Sequence, residues 1–229
     1  MKNCIVLSGQ YRTFAKTKNN IKHFIDVNEM DVFCHLWSTD TMEYVDVVDT
    51  LKPKSIIVED WKKYENEFLL IEERAKIANP KPLTIDSISK NASMNYSRKM
   101  AFESVVGDYD TLTYCRYDIG FDYIFKFDGV DRVLTPEAES YNLISDIFAI
   151  MPFAEAKGYF LYDNYEKIHS TQFEPEFEDW VRNVKQYPEK DIVTHKEQRY
   201  CPHMTLLRNL HNNGVTYNTM ANLPVFLLR

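Results

Sequence analysis

Two side chains of opposite charge stand at the end of a β-prone run in the middle of the chain. The run from Leu112 to Tyr117 is rich in strand-forming residues, and Asp118 and Gly120 follow it. Arg116 and Asp118 are two positions apart, so in a strand their side chains leave the same face. A fixed cation beside a carboxylate suits a phosphate-bearing ligand that brings a divalent metal ion. The alternative is a surface ion pair that serves no ligand.

The place of Asp118 at a strand end favours a binding role, because ligands of open α/β sheets bind just beyond the carboxyl ends of strands. The first apolar run, Asn3 to Leu7, predicts another buried strand. A polar loop, Ser8 to Thr13, follows with Gly9 and Arg12, and a helix is predicted from about Thr13 to Val27. Strand, glycine-containing loop, basic residue and helix are typical of a first βα unit that receives a nucleotide. A plain connection is the other interpretation of this loop.

Further strands are predicted at Asp31–Trp37, Ser55–Val58 and Asn142–Met151, with helical segments between the early ones. This alternation predicts an α/β fold: a mostly parallel central sheet with helices on both faces, in three layers. Asp146 lies within the last of these apolar runs. A buried carboxylate is costly unless it is paired, hydrogen-bonded or used in chemistry, so we expect Asp146 to face a ligand or to mark the solvated start of its strand.

Two predicted helices carry further candidates. A helix that opens at Met94 brings Tyr96 and Arg98, which we expect to contact a nucleotide and its diphosphate. A second helix opens at Pro202, a residue that suits a first helical turn, and places His203 at its N-terminus. There the imidazole suits a neutral metal ligand or a hydrogen-bond donor, or it is an exposed cap residue.

Composition excludes several classes of protein. The 229 residues are enough for a single α/β domain spanning 1–229, with 45% hydrophobic residues to fill its core. A formal net charge of -7 argues against nucleic acid as a partner. Four scattered cysteines, without metal-binding spacing, predict free thiols in a reducing, cytoplasmic compartment. Because no apolar stretch approaches about 18 residues, we expect no membrane span.

The order of the motifs along the chain carries a resemblance. Together they resemble small bacterial and viral glycosyltransferases that open with a Ser-Gly-Gln-x-Arg loop and have the GT-A fold. The matching segments are Cys4–Phe14, Asp31–Trp37, Leu51–Asp60, Tyr114–Phe121 and Ser145–Ile150. The resemblance implies a nucleotide-sugar donor, a UDP-sugar first, a glycan or other hydroxyl acceptor, and a Mn²⁺ or Mg²⁺ ion.

The resemblance also implies roles for individual residues. Asp118 matches the last acid of an Asp-x-Asp metal motif, whereas Arg116 stands where the first acid would be. Asp146 would face the donor sugar, and it is our candidate for the base if the reaction inverts. The nucleotide-sugar contacts that we predict are Ser8, Gly9, Gln10, Arg12, Tyr96, Arg98, Arg116, Asp118 and Asp146. The predicted catalytic residues are Arg116 and Asp146, and the predicted metal ligands are Asp118 and His203.

Two other functions are compatible with the sequence. A metal-dependent phosphohydrolase would use Asp118 and Asp122, although it needs more acids and histidines in metal-binding spacing than the chain shows. A non-catalytic nucleotide- or glycan-binding module would use Arg116 in place of a lost metal site. In each case we expect a monomer or a weak homodimer.

Overall fold

The computed structural model describes residues 1–78, 88–137, 144–161, 175–184, 202–220 and 222–228. The chain begins with three parallel strands joined by two helices. They are β1 (Asn3–Gln10), α1 (Phe14–Val27), β2 (Met30–Trp37), α2 (Thr41–Leu51) and β3 (Ser55–Glu59). The first six residues of β1 and nearly all of β2 are buried, because helices cover both faces of a parallel sheet.

The second part of the chain is less regular. A short 3₁₀ turn at Trp61–Lys63 leads into the elements that complete the fold. These are α3 (Glu65–Ala78), α4 (Ile88–Glu103), β4 (Thr111–Arg116), β5 (Ile119–Phe121), β6 (Val133–Pro136), β7 (Phe148–Pro152), α5 (Phe153–Phe160), α6 (Pro175–Asp179), α7 (Pro202–Asn212), β8 (Tyr217–Met220) and β9 (Val225–Leu227). A π-helical turn at Trp180–Val184 continues α6.

Seven of the strands form one sheet in the order β3-β2-β1-β4-β7-β6-β8. Strands β3, β2, β1 and β4 run parallel to one another, whereas β7 is antiparallel to both β4 and β6. The chain winds outward from β1 in one direction to β3 and in the other to β4. Ligands of such sheets bind at this reversal of strand order, so the carboxyl ends of β1 and β4 are the expected place for a site.

Two hydrophobic clusters lie on opposite faces of the sheet. Along β1, Cys4 and Val6 belong to the cluster covered by α4, α5 and α7. Ile5 and Leu7 belong to the cluster covered by α1 and α2. Because successive side chains of a strand point to opposite faces, one strand supplies both cores. This arrangement confirms the predicted α/β fold with helices on both sides of a mostly parallel sheet.

Two of the predicted local structures are wrong in their details. Strand β1 continues through Gln10, so Ser8 is paired in the sheet instead of lying in a loop. Strand β7 begins only at Phe148, which leaves Asp146 in the turn before it. The last strands, β8 and β9, do not pair with each other: β8 adds to the main sheet beside β6, and β9 forms a separate antiparallel pair with β5.

Candidate active site

A cavity of about 960 Å³ opens where the carboxyl ends of β1, β2 and β4 meet the start of β7. Its volume lies within the range of about 300–1,000 Å³ that is usual for ligand pockets. Eight of the residues predicted from sequence line it together. They are Ser8, Gly9, Gln10, Arg12, Arg116, Asp118, Asp146 and His203.

The end of β1 brings backbone and a guanidinium to the cavity. Gly9 has φ +126, a conformation that residues with a side chain rarely adopt, and a Cβ there would meet nothing within 4 Å. Arg12 has φ +38, so a non-glycine residue is held in the left-handed region. Its Nε donates to Gln10 Oε1 at 2.9 Å, and its Nη1 donates to Asp118 Oδ2 at 3.3 Å. The turn after β1 therefore aims Arg12 back across the cavity.

Asp118 is surrounded by positive charge. Arg116 Nε donates to Asp118 Oδ1 at 2.9 Å, and Arg116 Nη2 donates to Oδ2 at 2.6 Å. This two-point geometry is the strong form of an arginine–carboxylate pair. Only 6% of the Asp118 side chain and 18% of the Arg116 side chain are exposed. Burial lowers the pKa of the Arg116 guanidinium, but the hydrogen bonds and charge of Asp118 more than offset burial and raise it.

Asp146 lies beside this pair, held from below by a buried arginine. The side chain of Arg98 is fully buried, and its Nη2 donates to the backbone carbonyl oxygen of Asp146 and lies 3.4 Å from Asp146 Oδ2. The guanidinium also stacks 4.7 Å above the ring centroid of Tyr114 in β4. On the cavity side, His203 Nδ1 lies 3.6 Å from Asp146 Oδ1. The three side chains form a line from the core to the cavity.

An aromatic wall closes the cavity toward β2 and β3. Trp37, the last residue of β2, and Trp61, just after β3, both line it. Trp37 is fixed by a stacked contact with Tyr96, whose ring centroid lies 5.5 Å away. Beneath them, His35 accepts or donates hydrogen bonds on both ring nitrogens, to Ser97 Oγ at 2.7 Å and to Glu59 Oε2 at 2.8 Å.

Two residues predicted as ligand contacts do not line the cavity within the described ranges. Tyr96 packs behind Trp37 and shares a hydrogen bond with Glu59. Arg98 lies under Asp146, because its position on α4 faces the sheet and not the cavity opening. Asp122, considered for a phosphohydrolase, is exposed and is not part of the cavity wall.

Sequence reasoning missed one wall of the cavity. Val225, Phe226 and Leu227 in β9 line it, although they lie about a hundred residues from β5, their partner strand. Leu228 N donates to Asp118 O at 2.8 Å, and Thr13 Oγ1 donates to Leu228 O at 3.2 Å. Such long-range pairing leaves no local signal. By contrast, Trp37 could have been predicted to line the cavity, since it is the last residue of a predicted strand.

The predicted metal site at Asp118 and His203 does not fit the side chains as they are arranged. Both oxygens of Asp118 already accept hydrogen bonds from guanidinium groups, and a cation there would face two positive charges. His203 turns its Nδ1 to Asp146 and not to Asp118. Within the described part of the chain, no three His, Cys, Asp or Glu side chains are grouped closely enough to hold a metal ion.

Three of the cysteines, Cys4, Cys34 and Cys115, are buried free thiols. Burial raises the pKa of Cys34 to about 12, so this thiol stays protonated and is not a nucleophile. Cys201, the fourth, lies outside the described residues. None of the helices in the described ranges is long and apolar enough to span a bilayer.

Comparison by sequence finds no matching protein family and no matching curated protein. Comparison of structures finds glycosyltransferases at low identity. GlyE of Streptococcus pneumoniae TIGR4 is 10% identical, over 95% of this chain and 45% of that one, with a TM-score of 0.42. The present chain thus spans less than half the length of GlyE.

Two further structures are similar over a larger share of their own length. The galactosyltransferase LgtC, in complex with donor and acceptor sugar analogs, is 13% identical over 99% of this chain and 86% of that one, with a TM-score of 0.45. A Drosophila β1,4-galactosyltransferase 7 mutant, in complex with manganese, UDP-Gal and xylobiose, is 6% identical over 100% of this chain and 71% of that one, with a TM-score of 0.43.

Proposed function

We propose that this chain is a glycosyltransferase that moves a sugar from a nucleotide-sugar donor, a UDP-sugar first, to a hydroxyl group of a glycan acceptor. One observation carries the proposal: a single cavity contains an aromatic wall, a pair of guanidinium groups and a buried carboxylate in that order across the sheet. A nucleotide-sugar consists of a base, a diphosphate and a sugar in the same order.

The aromatic wall suits the nucleobase. Trp37 ends β2 and Trp61 lies just beyond β3, the side of the sheet farthest from Asp146. Trp37 is only 6% exposed, so Trp61 supplies most of the accessible ring surface. Stacking of a base on an aromatic side chain is worth about 1–3 kcal/mol and does not depend strongly on which base it is. The wall therefore supports a nucleoside without selecting uracil.

The arginine pair suits the diphosphate. Transfer breaks the bond between the anomeric carbon and a phosphate oxygen, and negative charge accumulates on the departing nucleoside diphosphate. Arg12 and Arg116 meet at the ends of β1 and β4, the reversal point of the sheet, where such charge is best placed. Fixed donors aimed at developing charge are among the largest contributions to catalysis, worth about a hundred- to a thousandfold in rate for a single group.

Asp146 and His203 suit the sugar and its acceptor. They line the cavity on the β7 side, beyond the arginine pair. If transfer inverts the anomeric centre, the Asp146 carboxylate takes the proton from the acceptor hydroxyl as that hydroxyl attacks the donor. His203 lies beside the same carboxylate. If transfer retains the configuration, Asp146 binds hydroxyl groups of the donor sugar.

The test is a panel of nucleotide-sugars assayed for binding by thermal shift and for turnover by release of nucleoside diphosphate. One donor is expected to raise the melting temperature and to be hydrolysed slowly without an acceptor. If transfer inverts, Asp146→Asn should keep the donor-induced shift and lose about a hundred- to ten-thousandfold of the turnover. If transfer retains, the same variant should also lose part of the donor-induced shift. Asp26→Asn, the same substitution at an exposed position of α1, is the matched control and should change neither.

Two outcomes contradict the proposal. Stabilisation by a donor with no turnover in the wild type points to a binding module. Cleavage of simple phosphate esters, with no preference for a nucleotide-sugar, points to a phosphohydrolase.

A further inference from the structure

We infer that the diphosphate of the donor is bound without a divalent metal ion, by the guanidinium groups of Arg12 and Arg116 held on the carboxylate of Asp118. The inference rests on the proposed function, since it concerns the same ligand. It differs from the metal site that the sequence resemblance implies. Three independent features of the cavity support it.

The first feature is that both carboxylate oxygens of Asp118 already accept hydrogen bonds. A metal-binding carboxylate must turn at least one oxygen to the ion, and Mg²⁺ holds to one or two carboxylates together with phosphate oxygens. Here Oδ1 accepts from Arg116 at 2.9 Å, and Oδ2 accepts from Arg116 at 2.6 Å and from Arg12 at 3.3 Å. Asp118 therefore serves as the counter-ion that orients two guanidinium groups.

The second feature is the conformation of Arg12. Residues other than glycine are rarely held at positive φ, and such backbone strain is concentrated at functional sites. The side chain is 53% exposed, although Gln10 and Asp118 hold its Nε and Nη1. The contact with Asp118 is long at 3.3 Å, so the exposed guanidinium is well placed to turn its Nη donors from Asp118 to a phosphate oxygen while Gln10 holds its Nε.

The third feature is the balance of charge in the cavity wall. The described wall contains three cations, Arg12, Lys90 and Arg116, and three acids, Asp118, Glu137 and Asp146. The Asp146 charge is also met from below by Arg98. With Arg98 counted, the cations of this described group outnumber the acids by one, which favours an anion over a divalent cation in a chain of net charge -7.

Arg116 can hold phosphate while it remains paired. A guanidinium carries five N–H donors in a rigid fork, and the Asp118 pair uses two of them. The pair therefore keeps Arg116 at a fixed angle and leaves donors to be shared with the ligand. A lysine could not do both, because its ammonium group is a point charge on a flexible chain.

The experiment is isothermal titration of the whole chain with UDP and, separately, with inorganic pyrophosphate. Each titration is run in excess EDTA and in excess Mn²⁺. We expect the dissociation constant for UDP to agree within about twofold between the two conditions. Arg12→Ala and Arg116→Gln should each weaken binding by about ten- to a hundredfold, as expected for lost hydrogen bonds to a charged group.

Arg116→Asp makes the sharpest variant, because it restores two acids with Asp-x-Asp spacing. We expect this variant to lose UDP binding in EDTA and to regain it in Mn²⁺. Its binding should therefore depend on the metal ion, whereas binding by the wild type should not. Lys22→Ala removes one unit of positive charge from α1, as Arg12→Ala and Arg116→Gln do from the cavity, and is expected to bind UDP as the wild type does. Arg12 is largely exposed, so Arg12→Ala tests the inference even if the Arg116 variants fail to fold.

The two proposals fail in different ways. Wild-type binding of UDP in Mn²⁺ but not in EDTA overturns the metal-free site and leaves the transferase standing. Binding that is unchanged in Arg12→Ala also overturns it. Absence of binding by UDP and by every nucleotide-sugar of the panel, with and without Mn²⁺, overturns both.

Discussion

At the scale of single residues, Asp118 combines a structural role with its place in the site. Its side chain is 6% exposed and is bonded through both oxygens, and its backbone carbonyl accepts the hydrogen bond from Leu228. Sequence alone predicts that Asp118→Ala removes activity and leaves the fold intact. The contacts instead predict a loss of stability, because the substitution leaves the guanidinium of Arg116 buried without its counter-ion.

We therefore expect Asp118→Ala to lower the free energy of unfolding by about 3 kcal/mol, the usual cost of breaking a buried ion pair from one side. Urea denaturation followed by circular dichroism measures it. Asp26→Ala, which removes an acid from an exposed pair with Lys22, is the control and should cost about 0.5 kcal/mol or less.

A second variant tests the reason for this loss. Adding Arg116→Met to Asp118→Ala removes the uncompensated charge, so the double variant should recover part of the lost stability. Equal losses for Asp118→Ala and Asp26→Ala would mean that the pair contributes nothing to the fold.

At the scale of elements, the aromatic wall depends on a hydrogen-bonded network that joins β2, β3 and α4. His35 in β2 bridges Ser97 in α4 and Glu59 at the end of β3. Tyr64 and Tyr96 also donate to the Glu59 carboxylate. The network fixes the ends of two strands and the helix that carries Tyr96, the residue stacked on Trp37.

This network makes stability depend on pH in a defined direction. Burial lowers the pKa of His35 below 6.5, and the hydrogen bond and charge of Glu59 offset this only in part. In the unfolded chain His35 binds a proton as the pH falls through about 6.5, whereas in the folded protein it does so only at lower pH. The unfolded state therefore binds more protons in this window, and the free energy of unfolding falls as the pH falls.

Glu59 affects a lower pH range. Burial raises its pKa, but the hydrogen bonds from Tyr64 and His35 more than offset burial and lower it below 4.5. The stability that comes from Glu59 is present above about pH 4.5 and is lost as the pH falls through the lowered value. Between about pH 7.5 and pH 5.5, His35 is thus the member of the network that titrates.

We expect the wild type to lose stability to urea between about pH 7.5 and pH 5.5, and His35→Gln to lose distinctly less over the same interval. His23→Gln, at an exposed position of α1, should keep the wild-type slope. The comparison uses the slope and not the absolute stability, because His35→Gln also disturbs packing. An identical slope in His35→Gln and the wild type would show that His35 is not the titrating group.

The same elements explain how far the sequence alone predicts this protein. Apolar runs predict β1, β2 and β4 because these central strands are buried on both faces. Ligands bind beyond the carboxyl ends of such strands, so the acids and arginines at these ends could be predicted as site residues. The burial of Arg98 could not be predicted, because it depends on how α4 is rotated against Tyr114 and Asp146.

At the scale of the whole molecule, the central strands tie the two cores together. The cluster under α1 and α2 includes Ile21 and Leu7, and the cluster under α5 and α7 includes Leu207 and Val6. Leu7 and Val6 are neighbours in β1, so loss of either core removes the support for one face of the same strand. Unfolding in a single step is usual for domains below about 150 residues, and this chain is longer. Whether its two cores unfold together therefore has to be measured.

We expect one cooperative transition for the entire chain, with a calorimetric enthalpy equal to the van't Hoff enthalpy. Ile21→Ala in one core and Leu207→Ala in the other should each lower the free energy of unfolding by about 2–5 kcal/mol and shift this transition without splitting it, because both sites support β1. Differential scanning calorimetry measures both quantities. If Leu207→Ala instead separates a second peak while Ile21→Ala moves only the first, the two faces of the sheet unfold independently, and the prediction of a single domain over 1–229 is wrong.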